Sequence, residues 1–158
     1  NTAMIGHSLG GATAASSLLR IPSLLGALNI DGTMFGSILT TPRISQPFML
    51  LGHENKTQDT DPSWKTVWPR VKGWKKEFEV KGAAHYGFSD LPLILSVLGL
   101  GDRLGSEIEG VLGRVEGKRM MEITTMYTLA FLDMVLKGGK EGGFARASKE
   151  FPEVVQVA

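Results

Sequence analysis

The 158 residues contain no cysteine at all. A disulfide framework and a thiolate metal site are both excluded, and the chain must hold itself together by packing alone. Nowhere do 18 apolar residues run together, so no transmembrane span is expected. Charge of one sign is also missing: 17 Lys and Arg balance 16 Asp and Glu, for a formal net charge of +1. The electrostatic footprint of a nucleic-acid or anionic-membrane binder is therefore absent. Only three histidines occur, His7, His53 and His85, and no metal-cluster motif appears. No phosphate-binding loop and no cofactor motif is present, so neither a metal nor a cofactor is expected. Internal repeats and low-complexity segments are lacking as well. With 42% hydrophobic residues, what remains is an ordinary core-forming domain.

Apolar runs and breakers divide the chain. Ala3-Met4-Ile5 reads as the end of a short strand. Residues 9–19, rich in Ala and Leu, read as a helix ended by Ile21-Pro22. Residues 25–30 and 47–51 read as buried strands, closed by Asp31-Gly32 and Gly52. Residues 63–76 carry Trp64, Trp68 and Trp74 among basic residues and are expected to be partly helical, with Pro69 breaking or kinking the helix. Residues 77–81 alternate charged and apolar side chains, as an edge-side strand does. Residues 91–113 give no clear pattern. Residues 119–137 are the clearest helix, with Met120, Ile123, Tyr127, Ala130 and Phe131 at helical spacing and Gly138-Gly139 as its stop. The tail from Lys140 reads as peripheral. Alternating strand and helix predicts an α/β fold with a parallel sheet. Three strands and a partial fourth make a small sheet, and the chain opens without Met on the approach to its main motif. Both features lead to the expectation that residues 1–158 are the C-terminal portion of a single domain, with the first strands elsewhere.

That main motif is Gly6-His7-Ser8-Leu9-Gly10. Gly-x-Ser-x-Gly between a strand and a helix is a nucleophile elbow, a sharp turn that exposes a serine at a helix N-terminus. Free N–H groups there favour negative charge, so the Leu9 N–H is the candidate oxyanion donor for Ser8. Both glycines are expected to serve the tight turn. His7 points away from Ser8 and reads as structural. The base must lie downstream. His85, in a loop opened by Gly82, Ala83 and Ala84, is favoured, with His53 as the competitor or a wall of the site. For the acid, Asp31 ends the strand next to the elbow on the same sheet edge. Glu54, with Asp59 and Asp61 beyond it, is the alternative after the following strand, and a turn-capping role is the plain reading of Asp31-Gly32.

Three segments in order, Gly-His-Ser-Leu-Gly-Gly-Ala at 6–12, Leu-Asn-Ile-Asp-Gly-Thr-Met-Phe at 28–35 and Ala-His-Tyr-Gly-Phe-Ser-Asp at 84–90, resemble platelet-activating factor acetylhydrolases of the plasma and intracellular type II kind. The wording is that of a fungal, esterase- or lipase-like member. The resemblance covers the first 90 residues well and the last long helix loosely. It implies an α/β-hydrolase fold represented by its C-terminal half, a serine carboxylic-ester hydrolase, and Ser8, Asp31 and His85 as nucleophile, acid and base. It also implies a small-molecule or lipid ester as substrate, short-acyl phospholipids included. Leu9 stands where the family usually has Phe. A second oxyanion donor is expected from an N-terminal half outside this sequence, joined in cis or as a cleaved chain. A binding protein that keeps the scaffold without catalysis is the alternative from another class.

Other residues carry weaker signals. Met34, Phe35 and Phe88, beside Asp31 and His85 in sequence, are candidates to line an acyl pocket or to pack in the core. The indoles of Trp64, Trp68 and Trp74 either dock on lipid or, preferably, pack on the sheet. Asn55-Lys56-Thr57 is a glycosylation sequon and the reason to expect secretion.

Overall fold

A computed structural model describes residues 1–100 and 105–158. The five strands are β1 (Thr2–His7), β2 (Leu24–Ile30), β3 (Phe48–His53), β4 (Lys75–Val80) and β5 (Val154–Gln156). They lie side by side in chain order. The first four are parallel and β5 closes the far edge antiparallel to β4. Among the described residues six α-helices accompany them: α1 (Leu9–Arg20), α2 (Pro62–Val67), α3 (Leu91–Val97), α4 (Ser106–Leu112), α5 (Gly117–Lys137) and α6 (Gly142–Glu150). The unpatterned stretch 91–113 thus holds α3 and α4, while 101–104 lie outside the described residues.

Successive strand residues face opposite sides, and each side has its own core. Leu28, Ile30, Met49, Leu51, Phe78 and Val80 meet α5 and α6 through Met120, Ile123, Tyr127, Phe131 and Phe144. Ala27, Phe48 and Leu50 face Ala14, Ala15 and Leu18 of α1 and Trp64 and Val67 of α2. Burial on both faces explains why β2 and β3 read as continuous apolar runs. Helix α1 buries Gly11, Ala14, Ala15 and Leu18, one stripe at helical spacing, and its small side chains let it lie close to β1 and β2. Asp61 starts α2 by accepting from the Ser63 and Trp64 N–H groups, with Pro62 following at the first helical position, where its missing N–H costs nothing. Helix α5 stops where Gly138 turns left-handed at φ 66°.

Three expectations change. The tail is not peripheral: α6 and β5 complete one face, with Phe144, Ala147 and Phe151 buried. The three tryptophans do not share a helix. Trp64 sits on α2 and Trp68 on the 3-10 turn Trp68–Arg70, both on the α1 side. Trp74 precedes β4 on the other side, stacked on Phe144 at 5.5 Å and donating to Glu141 at 2.8 Å. β4 is also no edge strand. Its charged residues Glu77 and Glu79 are buried because loop 54–61 folds over them. The Gln58 N–H donates to Glu77 Oε1 and the Asn55 N–H to Glu79 Oε1, each at 2.6 Å.

Glu77 has no exposed surface, and its Oε2 has no hydrogen-bond partner among the described residues. Burial pushes its carboxyl from 4.5 up to about 7 against the Gln58 hydrogen bond, helped by the charges of Asp59 and Glu79. The protonated form is the one the fold prefers, so this contribution is complete below pH 4.5 and is lost as pH rises through 7. Glu77→Gln should therefore come within about 0.5 kcal/mol of the wild type in urea unfolding at pH 4 and exceed it at pH 8, by up to about 3 kcal/mol.

Candidate active site

All four parallel strands deliver a residue to their carboxyl ends, where ligand sites of open α/β sheets form. Ser8 follows β1, Asp31 follows β2, His53 ends β3, and His85 follows β4 after a short loop. Strand register fixes their order: Ile30 pairs His7 on one side and Leu51 on the other. The Ser8 N–H then donates to the Ile30 carbonyl and the Asp31 N–H to the Leu51 carbonyl, each at 2.9 Å.

Ser8 stands at φ 57°, ψ −121°, a strained conformation for a residue with a Cβ. The turn is tight for an identifiable reason. A Cβ on Gly6 would lie 2.2 Å from the Gly10 carbonyl carbon, and one on Gly32 would lie 2.2 Å from the Ser8 carbonyl oxygen. Elbow and acid loop are thus in backbone contact. Gly10 is different from what the motif suggested: a Cβ there meets nothing within 4 Å, because Gly10 contributes its backbone to the close approach and not a missing side chain.

Asp31 also has positive φ, 58°, and its turn is clamped from several sides. The Asn29 side chain accepts from the Gly32 N–H and donates to the Gly32 carbonyl, both at 2.8 Å. The same carbonyl accepts from the Trp64 indole at 2.8 Å. Beyond it, Lys56 joins Thr33 to Asp61, whose carboxyl is held down to about 2 by this lysine and the α2 N-terminus in spite of burial. Neither Asn29 nor Trp64 was expected at the site. A polar residue inside an apolar strand was the available signal for Asn29, and nothing local marked Trp64.

The candidate side chains meet in a line. His85 Nε2 lies 2.9 Å from Ser8 Oγ, and His85 Nδ1 lies 2.5 Å from Asp31 Oδ2. The Asp31 side chain is fully buried while His85 keeps 36% of its surface. Burial opposes charge on Asp31, but hydrogen bonds from His53 and His85 outweigh it and hold the carboxyl below its ordinary value. An anion there accepts the Nδ1 proton of His85, which leaves Nε2 with the lone pair toward Ser8. His7 points elsewhere, its Nε2 donating to the His85 carbonyl at 3.0 Å. Its pKa is lowered by burial and by His85, in keeping with a neutral ring. Leu9 opens α1 in the turn where the helix supplies no acceptor for its N–H, and no side chain caps it.

Glu54 pairs with Arg114 at 3.1 Å and Asp61 with Lys56, so neither reaches a histidine. His53 bonds to Asp31 and not to Ser8. Met34 is packed in the α1-side core, Phe35 is 56% exposed, and Phe88 lies against His7 with ring centres 5.9 Å apart. A separate hollow of about 520 Å³ between α3, α4 and the start of α5, lined by residues such as Pro92, Leu95 and Leu112, contains none of the three. His7, Asp31 and His85 could each turn one atom to a cation, all within 4.8 Å, but both His85 nitrogens and His7 Nε2 are already engaged in hydrogen bonds.

Residues 1–144 match the family model of platelet-activating factor acetylhydrolase, isoform II. The chain belongs to this family. It is 30% identical over 162 residues to a probable 1-alkyl-2-acetylglycerophosphocholine esterase of Arthroderma benhamiae, covering 96% of this chain and 42% of that protein. A ferulic acid esterase from Streptomyces cinnamoneus superposes with a TM-score of 0.82 at 30% identity, over 98% of this chain and 46% of the esterase. The fold is thus that of the α/β-hydrolases, and the chain spans less than half the length of these relatives. No described helix is long and apolar enough to cross a membrane.

The backbone contacts of the elbow predict a graded response in thermal unfolding. Gly6→Ala and Gly32→Ala should each destabilise by about 1–3 kcal/mol, since backbone must move, whereas Gly10→Ala should cost less than either.

Proposed function

We propose that the protein is a serine carboxylic-ester hydrolase and that Ser8, His85 and Asp31 are its nucleophile, base and acid. The observation that carries this reading is the unbroken line Ser8 Oγ, His85 imidazole, Asp31 carboxylate at 2.9 and 2.5 Å. Relatives named as esterases support the reaction class.

His85 Nε2 takes the Ser8 proton as Oγ attacks the ester carbonyl. The Leu9 N–H donates to the oxyanion, and the positive end of α1 favours the charge. The tetrahedral intermediate collapses, His85 returns the proton to the leaving alcohol, and the acyl group stays on Ser8. Water, deprotonated by His85, then releases the acid and restores the serine. Asp31 stays ionised throughout and stabilises the imidazolium. We assign the second oxyanion donor to residues beyond the span that the longer relatives share with this chain. Phe35 and Phe88 flank the acid and base loops and border the acyl site. The relatives act by name on an acetyl ester of a glycerophosphocholine and on ferulic acid esters. We assign this protein the same general substrate class, small-molecule or lipid carboxylic esters, short-acyl phospholipids among them. In a secreted protein, exposed Asn55 would carry the glycan.

In the intact protein, Ser8→Ala should abolish hydrolysis of p-nitrophenyl acetate, and Asp31→Asn, which leaves His85 in the wrong tautomer, should lower kcat by roughly 10⁴. Turnover by Ser8→Ala at the wild-type rate would remove the proposal.

A further inference from the structure

We infer that His53 is a positioning residue for this reaction, holding the Asp31 carboxylate in the orientation that His85 needs. The inference rests on the Ser8, His85, Asp31 reading above. His53 was the sequence competitor for the base, but Ser8 Oγ donates its hydrogen bond to His85 and makes none to His53. What His53 touches is the acid, and it does so twice. Its backbone N–H donates to Asp31 Oδ1 at 2.9 Å. Its ring Nδ1 lies 2.6 Å from Oδ1 and 2.8 Å from Oδ2.

The geometry makes these contacts more than incidental. His85 approaches Asp31 through one nitrogen and one oxygen, and a single bond leaves a carboxylate free to rotate about its Cβ–Cγ bond. Two donors on Oδ1, one of them shared with Oδ2, stop that rotation. His53 can act so because its own backbone is fixed: it is the last residue of β3, in register with Val80 of β4. The two imidazoles flank the carboxylate edge to face, with ring centres 6.4 Å apart. Since Asp31 is an acceptor, His53 must carry its proton on Nδ1 when neutral, leaving its lone pair on Nε2. The ring is 30% exposed, so it is not filling a core. The Asp31 side chain, by contrast, has no exposure, and no water can replace a lost donor without rearrangement.

The test separates the ring nitrogen from mere bulk. Asparagine places its amide nitrogen as far from Cβ as Nδ1 is, and glutamine places it one bond further. With p-nitrophenyl acetate and the intact protein, His53→Leu should lower kcat by about tenfold to hundredfold with KM unchanged, the range seen when the hydrogen-bond partner of a functional ligand is lost. His53→Asn should recover to within about threefold of wild type, and His53→Gln should not. In the wild type, imidazole nitrogen NMR should find neutral His53 protonated at Nδ1. Equal kcat for His53→Leu and wild type, equal loss in the Asn and Gln variants, or a neutral His53 protonated at Nε2 would each overturn the inference. The NMR result decides even if the variants do not fold. His85→Ala run in parallel keeps the two readings apart: if it retains wild-type kcat the base assignment fails, whereas an inactive His85→Ala beside a fully active His53→Leu removes only the role of His53.

Discussion

A carboxyl with no exposed surface keeps its charge without a raised pKa only when its oxygens are filled by donors, and Asp31 meets that condition with three N–H groups from two histidines. Every one of those donors depends on the sheet. Asp31 is placed by β2, His53 by the end of β3, and His85 by the loop after β4. Pull any of these strands out of register and a buried anion loses a donor, at a cost of one to several kcal/mol. Satisfaction of Asp31 therefore ties the stability of the strand ends to the geometry of the site. It also sets the tautomer of His85 and so directs a lone pair toward Ser8.

Around that carboxylate the backbone is packed unusually close. Ser8 and Asp31 both sit at positive φ, and each is held there from outside. Gly32 lies against the carbonyl of Ser8, Asn29 closes the Gly32 turn, and Trp64 reaches across from α2 to the Gly32 carbonyl. Strain at both residues is tolerated because the surroundings over-determine it. The Ser8 and Asp31 side chains are thereby brought within reach of one imidazole, that of His85.

The parts of this that were legible in the sequence are those with local signatures. An apolar strand before Gly-x-Ser-x-Gly and a small-residue helix after it mark the elbow, and continuous apolar runs mark β2 and β3. The periodic Met120, Ile123, Tyr127 and Phe131 mark α5. The parts that were not legible depend on partners distant in sequence. Glu77 and Glu79 looked solvent-facing because only loop 54–61, folded over β4, makes their burial possible. The tail looked peripheral because Phe144 and Phe151 find their neighbours on α5 and β4. Gly10 seemed to need its missing side chain because the pattern records the residue type and not which of two glycines moves toward the other. His53 looked like a rival base because the sequence gives no measure of which histidine faces Ser8 and which faces Asp31.

The central claim is that Ser8 accepts the acyl group with His85 as its base. Its most direct test is to quench the intact protein during turnover of a slowly deacylating ester and to map the modified peptide by mass spectrometry. An acyl group on Ser8 in the wild type, absent in His85→Ala, is the predicted result. An acyl group on any other residue, or turnover with an initial burst and no acylated Ser8, would contradict it.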